Sequence, residues 1–137
     1  MIEAVLDASV VLDWFQPNQP DAAAAITWRR AFEAGRLVVM APPLLQLEIV
    51  NVAGRRWHWP AAALADLALK LHRMGFTWQA PPLAATVPWV FLGLTAYDAE
   101  YVALAETEEI RLITADALIL QTAPHIACSP GQETPDA

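Results

Sequence analysis

Short apolar runs alternate along the chain with longer stretches of helical periodicity. Residues 2–8 make a short apolar run that predicts a strand, and it leads into a helix around 9–15. A second helix is expected over roughly 20–35 (DAAAAITWRRAFEAGR), ended by Gly35. The run Leu37–Ala41 (LVVMA) reads as a strand, and Pro42-Pro43 opens a helix to about Trp57. Pro60 starts another helix, to about Met74, closed by Gly75, and Phe76–Gln79 reads as a short strand. The apolar, Pro-broken segment 80–94 is expected to hold a short helix. A helix then starts near Tyr97 (YDAEYVALAETEE), followed by a strand at 111–114, a short helix from Ala117 and a last strand over 125–128. Residues 1–128 thus read as one domain, and the polar, Pro-rich segment SPGQETPDA (129–137) as a flexible tail.

Composition narrows the setting. With 137 residues, the chain fits one domain that encloses a real core. A hydrophobic fraction of 56% is high for a soluble monomer, so either the core is unusually full or another chain covers an apolar patch. One cysteine, Cys128, excludes an internal disulfide. The start MIEAVLDAS lacks the basic and apolar regions of a signal peptide, so the cytoplasm is the expected compartment. Met74 to Tyr97 carries no charge, but Pro81, Pro82, Pro88, Gly75 and Gly93 interrupt it, which argues against a membrane span. The net charge of −7 argues against non-specific duplex binding, which relies on Lys and Arg. It does not exclude a nuclease that reaches phosphate through cations.

Strands alternating with helices indicate a parallel sheet covered on both faces. Right-handed crossovers then put every strand-to-helix junction on one edge, where open α/β sheets bind ligands. In VLDASVVLDWF, Asp7 closes the first strand; in LITADALIL, Asp116 follows a later one. Asp98 lies in the first turn of the helix that begins LTAYDAEY, and reaches the same edge if its helix starts there. Capping explains each aspartate singly: Asp is a favoured N-cap, worth about 1 kcal/mol, and T-A-Y-D makes a passable capping box. Capping does not explain Glu48, inside the helix PLLQLEIVNVAGRRW with Leu44, Leu45, Asn51 and Val52 as its neighbours. A salt bridge, for instance to Arg55, would account for it; so would a place in a pocket shared with the aspartates.

Convergence of four carboxylates has a chemical consequence. Two unit charges about 4 Å apart repel by about 4 kcal/mol at an effective dielectric of about 20, so protons or cations must offset them. All-oxygen ligation without His or Cys suits hard cations such as Mg²⁺ or Mn²⁺, which invite phosphate oxygens as further ligands. The expected chemistry is therefore phosphodiester or phosphoryl transfer.

VLDASVVLDWF, PPLLQLEIVNVAGRR, LTAYDAEYVALAE and LITADALIL resemble, in order and spacing, the PIN-domain ribonuclease toxins of the VapBC type. The resemblance runs from the first strand to about Leu120. It implies an α/β fold, a three-layer α/β/α sandwich around a parallel sheet of about four or five strands. It implies a Mg²⁺- or Mn²⁺-dependent endoribonuclease, a toxin acting on RNA such as tRNA or rRNA. The family's acidic quartet falls on Asp7, Glu48, Asp98 and Asp116, as metal ligands and catalytic groups. Its hydroxyl residue after the first aspartate falls on Ser9, its threonine before the last acid on Thr114, and a frequent asparagine on Asn51. Such toxins are neutralised by a small cognate antitoxin and usually form homodimers. Two features depart from the family: Asp13 stands where a lysine is frequent, and AATVPWVFLGL, with Pro88 and no charge, replaces a regular helix with basic residues.

On this reading water attacks the RNA phosphorus in line with metal assistance. Ser9 and Thr114 would hold carboxylates or waters, although each also suits a turn or cap. Arg55 and Arg56 extend from the Glu48 helix toward RNA phosphates; for Arg56, a solvated place complementing the helix dipole is the simpler account. His58, His72 and His125 lack metal spacing, and Trp14, Trp28 and Trp89 read as core or interface. A dehalogenase-like phosphotransferase would need D-x-D where the chain has D-A-S, and a receiver-like domain would need a late lysine, absent after Lys70. A non-catalytic PIN-like subunit that binds a peptide partner stays as the alternative.

Overall fold

The computed structural model describes residues 1–16 and 22–135. Five strands form one wholly parallel sheet: β1 (Ile2–Leu6), β2 (Leu37–Ala41), β3 (Thr77–Trp78), β4 (Arg111–Ile113) and β5 (Ala127–Cys128), in the order β3-β2-β1-β4-β5. Among the described residues seven helices flank it: α1 (Ala8–Phe15), α2 (Ala22–Glu33), α3 (Leu44–Arg55), α4 (Ala61–Arg73), α5 (Leu83–Phe91), α6 (Ala96–Glu108) and α7 (Ala117–Thr122). The parallel sheet covered on both faces, expected from the apolar periodicity, is the fold, as is the three-layer α/β/α sandwich that the resemblance implies. Residues 20 and 21, where the second helix was expected to begin, lie outside the described residues.

Burial explains why the central strands read as continuous apolar runs. Val5, Leu6, Leu112 and Ile113 are wholly buried, because helices cover both faces of the sheet. Helix α6 supplies Tyr101, Val102 and Leu104 to that core, while α1 packs on α2 and α3. Gly35 and Gly75 end α2 and α4 at φ 75° and 91°, the left-handed backbone that glycine enters without a Cβ clash. The Pro-broken segment does hold a short helix, α5, with Pro88 inside it. Its outer face is apolar and exposed: Leu83, Val87, Phe91 and Leu92 are between 59% and 88% accessible. Among the described residues, no helix is long and apolar enough to cross a membrane.

The strand order locates the site. The chain moves from β1 outward to β2 and β3, then crosses to β4 on the other side of β1. The reversal leaves a crevice beyond the carboxyl ends of β1 and β4, where open α/β sheets bind ligands.

The segment after Cys128, for which composition suggests a loose tail, makes contacts with the rest of the domain and within itself. The buried Trp28 indole N–H donates to the Pro130 carbonyl at 3.0 Å, Arg111 pairs with Glu133 at 2.8 Å, and the Ser129 amide donates to the Gln132 side chain. Truncation after Cys128 should lower stability by about 1–3 kcal/mol, because the Trp28 N–H loses its buried acceptor. Thermal or urea melts of the truncated and full chains measure the difference.

Candidate active site

Asp7 follows β1 directly, and its amide still donates to the Ile113 carbonyl of β4. Its side chain is 5% exposed and forms no capping hydrogen bond on α1. Capping therefore does not account for it. Ser9 Oγ donates to Oδ1 at 2.6 Å, and Thr114 Oγ1 donates to Oδ2 at 2.5 Å. Each hydroxyl is itself fixed: Ser9 Oγ accepts from the Ala115 amide at 2.9 Å, and Thr114 Oγ1 from the Asp116 amide at 3.0 Å. A closed network thus ties the end of β1 to the loop after β4.

Asp116 does act as an N-cap, accepting from the Ile119 amide at 3.0 Å to start α7. At α6 the cap is Thr95, whose hydroxyl accepts the Asp98 amide at 3.1 Å; the Asp98 carboxylate is left facing the edge groove. Glu48, in the second turn of α3, is half-buried and accepts a hydrogen bond from the Tyr101 hydroxyl of α6. No ion pair reaches Glu48 among the described residues, so the salt-bridge account of this residue is not supported, with Arg55 or any other cation. Asn51, exposed, lines one groove with Leu44, Leu47, Glu48, Tyr97 and Asp98.

The carboxylates sense one another. Burial first, then the charge of Asp116, pushes Asp7 up to about 6, against the Ser9 and Thr114 hydroxyls and the nearby Val10 amide, which pull it down. Burial raises Glu48, with Asp98 and Glu100 adding to the rise and the Tyr101 hydrogen bond opposing it. Asp98 is raised by burial and then by Asp116. Asp7, Asp98 and Asp116 with Glu48 therefore share one electrostatic neighbourhood, without a lysine or arginine paired to any of them among the described residues. Donor chemistry suits a hard cation: carboxylate oxygens only, and an excess of negative charge. Separation is the obstacle, since among the described residues no three His, Cys, Asp or Glu side chains are gathered closely enough to hold a metal ion. Asp116 is occupied by its cap, and Tyr101 holds Glu48. A cation would need these side chains to close on it.

Tyr101 escaped the sequence reading. It stands three residues after Asp98 in YDAEY, so helical spacing alone puts it one turn on along the same face. Burial and the neighbouring Glu48 carboxylate raise its phenol far above the usual range, so it stays a donor. Of the two arginines, Arg56 lines a groove with Ser9, whereas Arg55 is exposed and forms no ion pair among the described residues.

A doubly wound parallel domain with an acidic crevice at its switch point defines the class of protein. The chain belongs to the PIN domain family, whose sequence profile matches residues 4–123. PIN domains are typically nucleases and generally bind divalent metal. Similar in fold is PAE2754 from Pyrobaculum aerophilum, with 23% identity, a TM-score of 0.68, and coverage of 96% of this chain and 91% of that one. So is VapC20 from Mycobacterium tuberculosis, described as a sarcin-ricin loop cleaving toxin (15% identity, TM-score 0.63, 83% and 90% coverage). FitAcB from Neisseria gonorrhoeae is also similar (16% identity, TM-score 0.60, 95% and 99% coverage). At these identities the likeness is one of fold. No curated protein matches the chain in sequence.

The raised pKa of Asp7 has a definite sign. A carboxyl that titrates near 6 when folded and near 3.8 when unfolded binds its proton more tightly in the native state. Stability of the metal-free protein therefore falls as pH rises from about 4 to about 6, by on the order of 3 kcal/mol. Asp7→Asn should remove that loss, stabilising the metal-free protein at pH 7 by up to that amount and by little at pH 4. Urea melts in EDTA across this pH range measure it.

Proposed function

We propose that this chain is a divalent-metal-dependent endoribonuclease, the toxin of a type II toxin–antitoxin pair acting in the cytoplasm. Asp7, Glu48, Asp98 and Asp116 would hold Mg²⁺ or Mn²⁺. The carrying observation is the acidic crevice at the switch point of a PIN fold, where burial and then neighbouring carboxylates raise Asp7, Glu48 and Asp98 and no lysine or arginine pairs with them among the described residues. When bound, the cation supplies Lewis-acid stabilisation of the phosphate oxygens and acidifies the attacking water. The protein's own residues do the positioning. Ser9 and Thr114 hold the Asp7 carboxylate between them and, through the Ala115 and Asp116 amides, hold the last acid's loop at a set distance. Tyr101 orients Glu48, and Asn51 offers an amide to substrate on the open side of the groove. VapC20's description as a toxin that cleaves the sarcin-ricin loop supports rRNA, with tRNA, as the first substrates to try.

Cleavage of tRNA and rRNA is expected with Mg²⁺ or Mn²⁺ and should stop in EDTA. Asp7→Asn and Asp98→Asn should each abolish it while retaining the circular dichroism spectrum of the parent. Full activity in both variants would remove this mechanism.

A second reading, a non-catalytic subunit that binds a peptide partner, is favoured by the open spacing of the acids and by the exposed apolar face of α5. Titration with Mn²⁺ separates the two: absence of both binding and cleavage selects the second. Under the toxin reading the α5 face joins two copies in a homodimer, and a small antitoxin covers the remaining apolar surface. Light scattering should give twice the chain mass for the parent protein and a single chain mass for Phe91→Glu. A parent protein that scatters as one chain would refute the dimer.

A further inference from the structure

The chain leaves α3 through Arg55-Arg56-Trp57-His58-Trp59, where the two indoles pack half-buried against the core and the two arginines stay exposed. This turn gathers two cations and two indoles on the surface of an acidic protein. Of the other cations, Arg29 pairs with Glu33, Arg111 with Glu133, and Lys70 lies over the Phe15 ring. Arg55 and Arg56 are exposed and form no ion pair among the described residues. The Trp57 and Trp59 rings are half-buried, 5.5 Å apart and inclined at 43°.

The backbone sets this arrangement. The amides of Arg56 and Trp57 both donate to the Val52 carbonyl, and the Trp59 amide reaches back to the Ala53 carbonyl. His58 between them takes φ 58°, the left-handed region that side chains with a Cβ rarely enter. Such strain in a non-glycine residue persists only where neighbouring bonds over-determine it. A groove lined by Ser9, Leu12, Asp13, Gln16, Arg56 and Trp57 adjoins the turn. Its Ser9 end is hydrogen-bonded to Asp7. The other end offers a guanidinium beside an indole face.

We infer that this groove, with the Arg56–Trp57 turn as its wall, is a binding subsite for a nucleotide of single-stranded RNA next to the cleaved phosphodiester. Trp57 stacks on an unpaired base and Arg56 contacts a backbone phosphate. An indole stacks on any base but only on one whose face is free, so a duplex is excluded. A net charge of −7 leaves little general attraction for RNA, and local contacts of this kind must supply it. The subsite rests on the ribonuclease reading for its choice of RNA, while its own contacts need no metal.

The test is fluorescence anisotropy of a labelled ten-nucleotide oligouridylate with the full chain in EDTA, where no cleavage occurs. The parent protein should bind it, and Trp57→Ala should weaken binding roughly tenfold. Trp57→Phe, which keeps a ring and so guards against a folding defect, should retain most of the affinity. Arg56→Gln should weaken binding and lower the slope of log affinity against log salt by about 0.7. Arg73→Gln, at the far end of α4, should change nothing beyond a small salt-dependent loss. Failure of the parent protein to bind would overturn the subsite. So would parental affinity in Trp57→Ala and Arg56→Gln, or equal binding of a duplex of the same length. RNA binding that depends on Trp57 in a chain that never cleaves would leave the subsite standing and sink the nuclease. Cleavage that Asp7→Asn abolishes, with binding indifferent to Trp57, would do the reverse.

Discussion

A buried carboxylate held between two hydroxyls is the constraint on which the rest of this structure depends. Asp7 sits at the end of the most central strand, almost wholly buried, where the Ser9 and Thr114 hydroxyls and the nearby Val10 amide stand in for water. Neutral donors soften the cost of burying a charge without cancelling it, which is why the group still titrates high. The same hydroxyls accept the amides of Ala115 and Asp116, so the β1 end and the loop after β4 are positioned as one unit. Ser9 and Thr114 thereby convert sheet register into site geometry.

The four acids are unequal in their surroundings. Asp116 is spoken for by its helix cap, Glu48 by Tyr101, and Asp7 by its hydroxyls, while the Asp98 carboxylate borders the open groove. No arginine or lysine among the described residues has been placed against any of them. A protein that wanted this edge only for stability would have paired or replaced these groups, since an unpaired buried carboxylate is destabilising. That charge pattern is the one the proposed cation and phosphate would require. Arg55 and Arg56 lie about two turns along the chain from Glu48, and neither pairs with an acid among the described residues.

Much of the fold was legible because its elements are punctuated by local chemistry. LVVMA is bounded by Gly35 and by Pro42-Pro43, and the strand runs over those residues, Leu37–Ala41. Element ends shifted by a residue or two elsewhere: the first strand stops at Leu6, since Asp7 already turns toward α1. The segment over 80–94 was harder to read, because Pro88 and uniform apolarity erase helical periodicity. Its helix α5 packs on α6, and tertiary contact decides its conformation. The tail reads as polar and loose by composition, but Trp28 and Arg111 reach it across the chain from residues that no local pattern connects to it.

Sequence by itself determined the order of strands and helices, and so which edge every strand-to-helix junction would share. Apolar periodicity, proline and glycine are local signals, and parallel crossovers have one hand. It also put Asp7 and Asp116 near that edge and offered Asp98 and Glu48 as candidates to join them. Only the tertiary structure decided what those acids touch. Hydrogen bonds from Tyr101 to Glu48 and from Thr114 to Asp7 join residues 53 and 107 positions apart, and their formation depends on how α6 and β4 settle against their neighbours. Long-range contacts of that kind leave no periodic trace in the chain, because packing and not local propensity selects them.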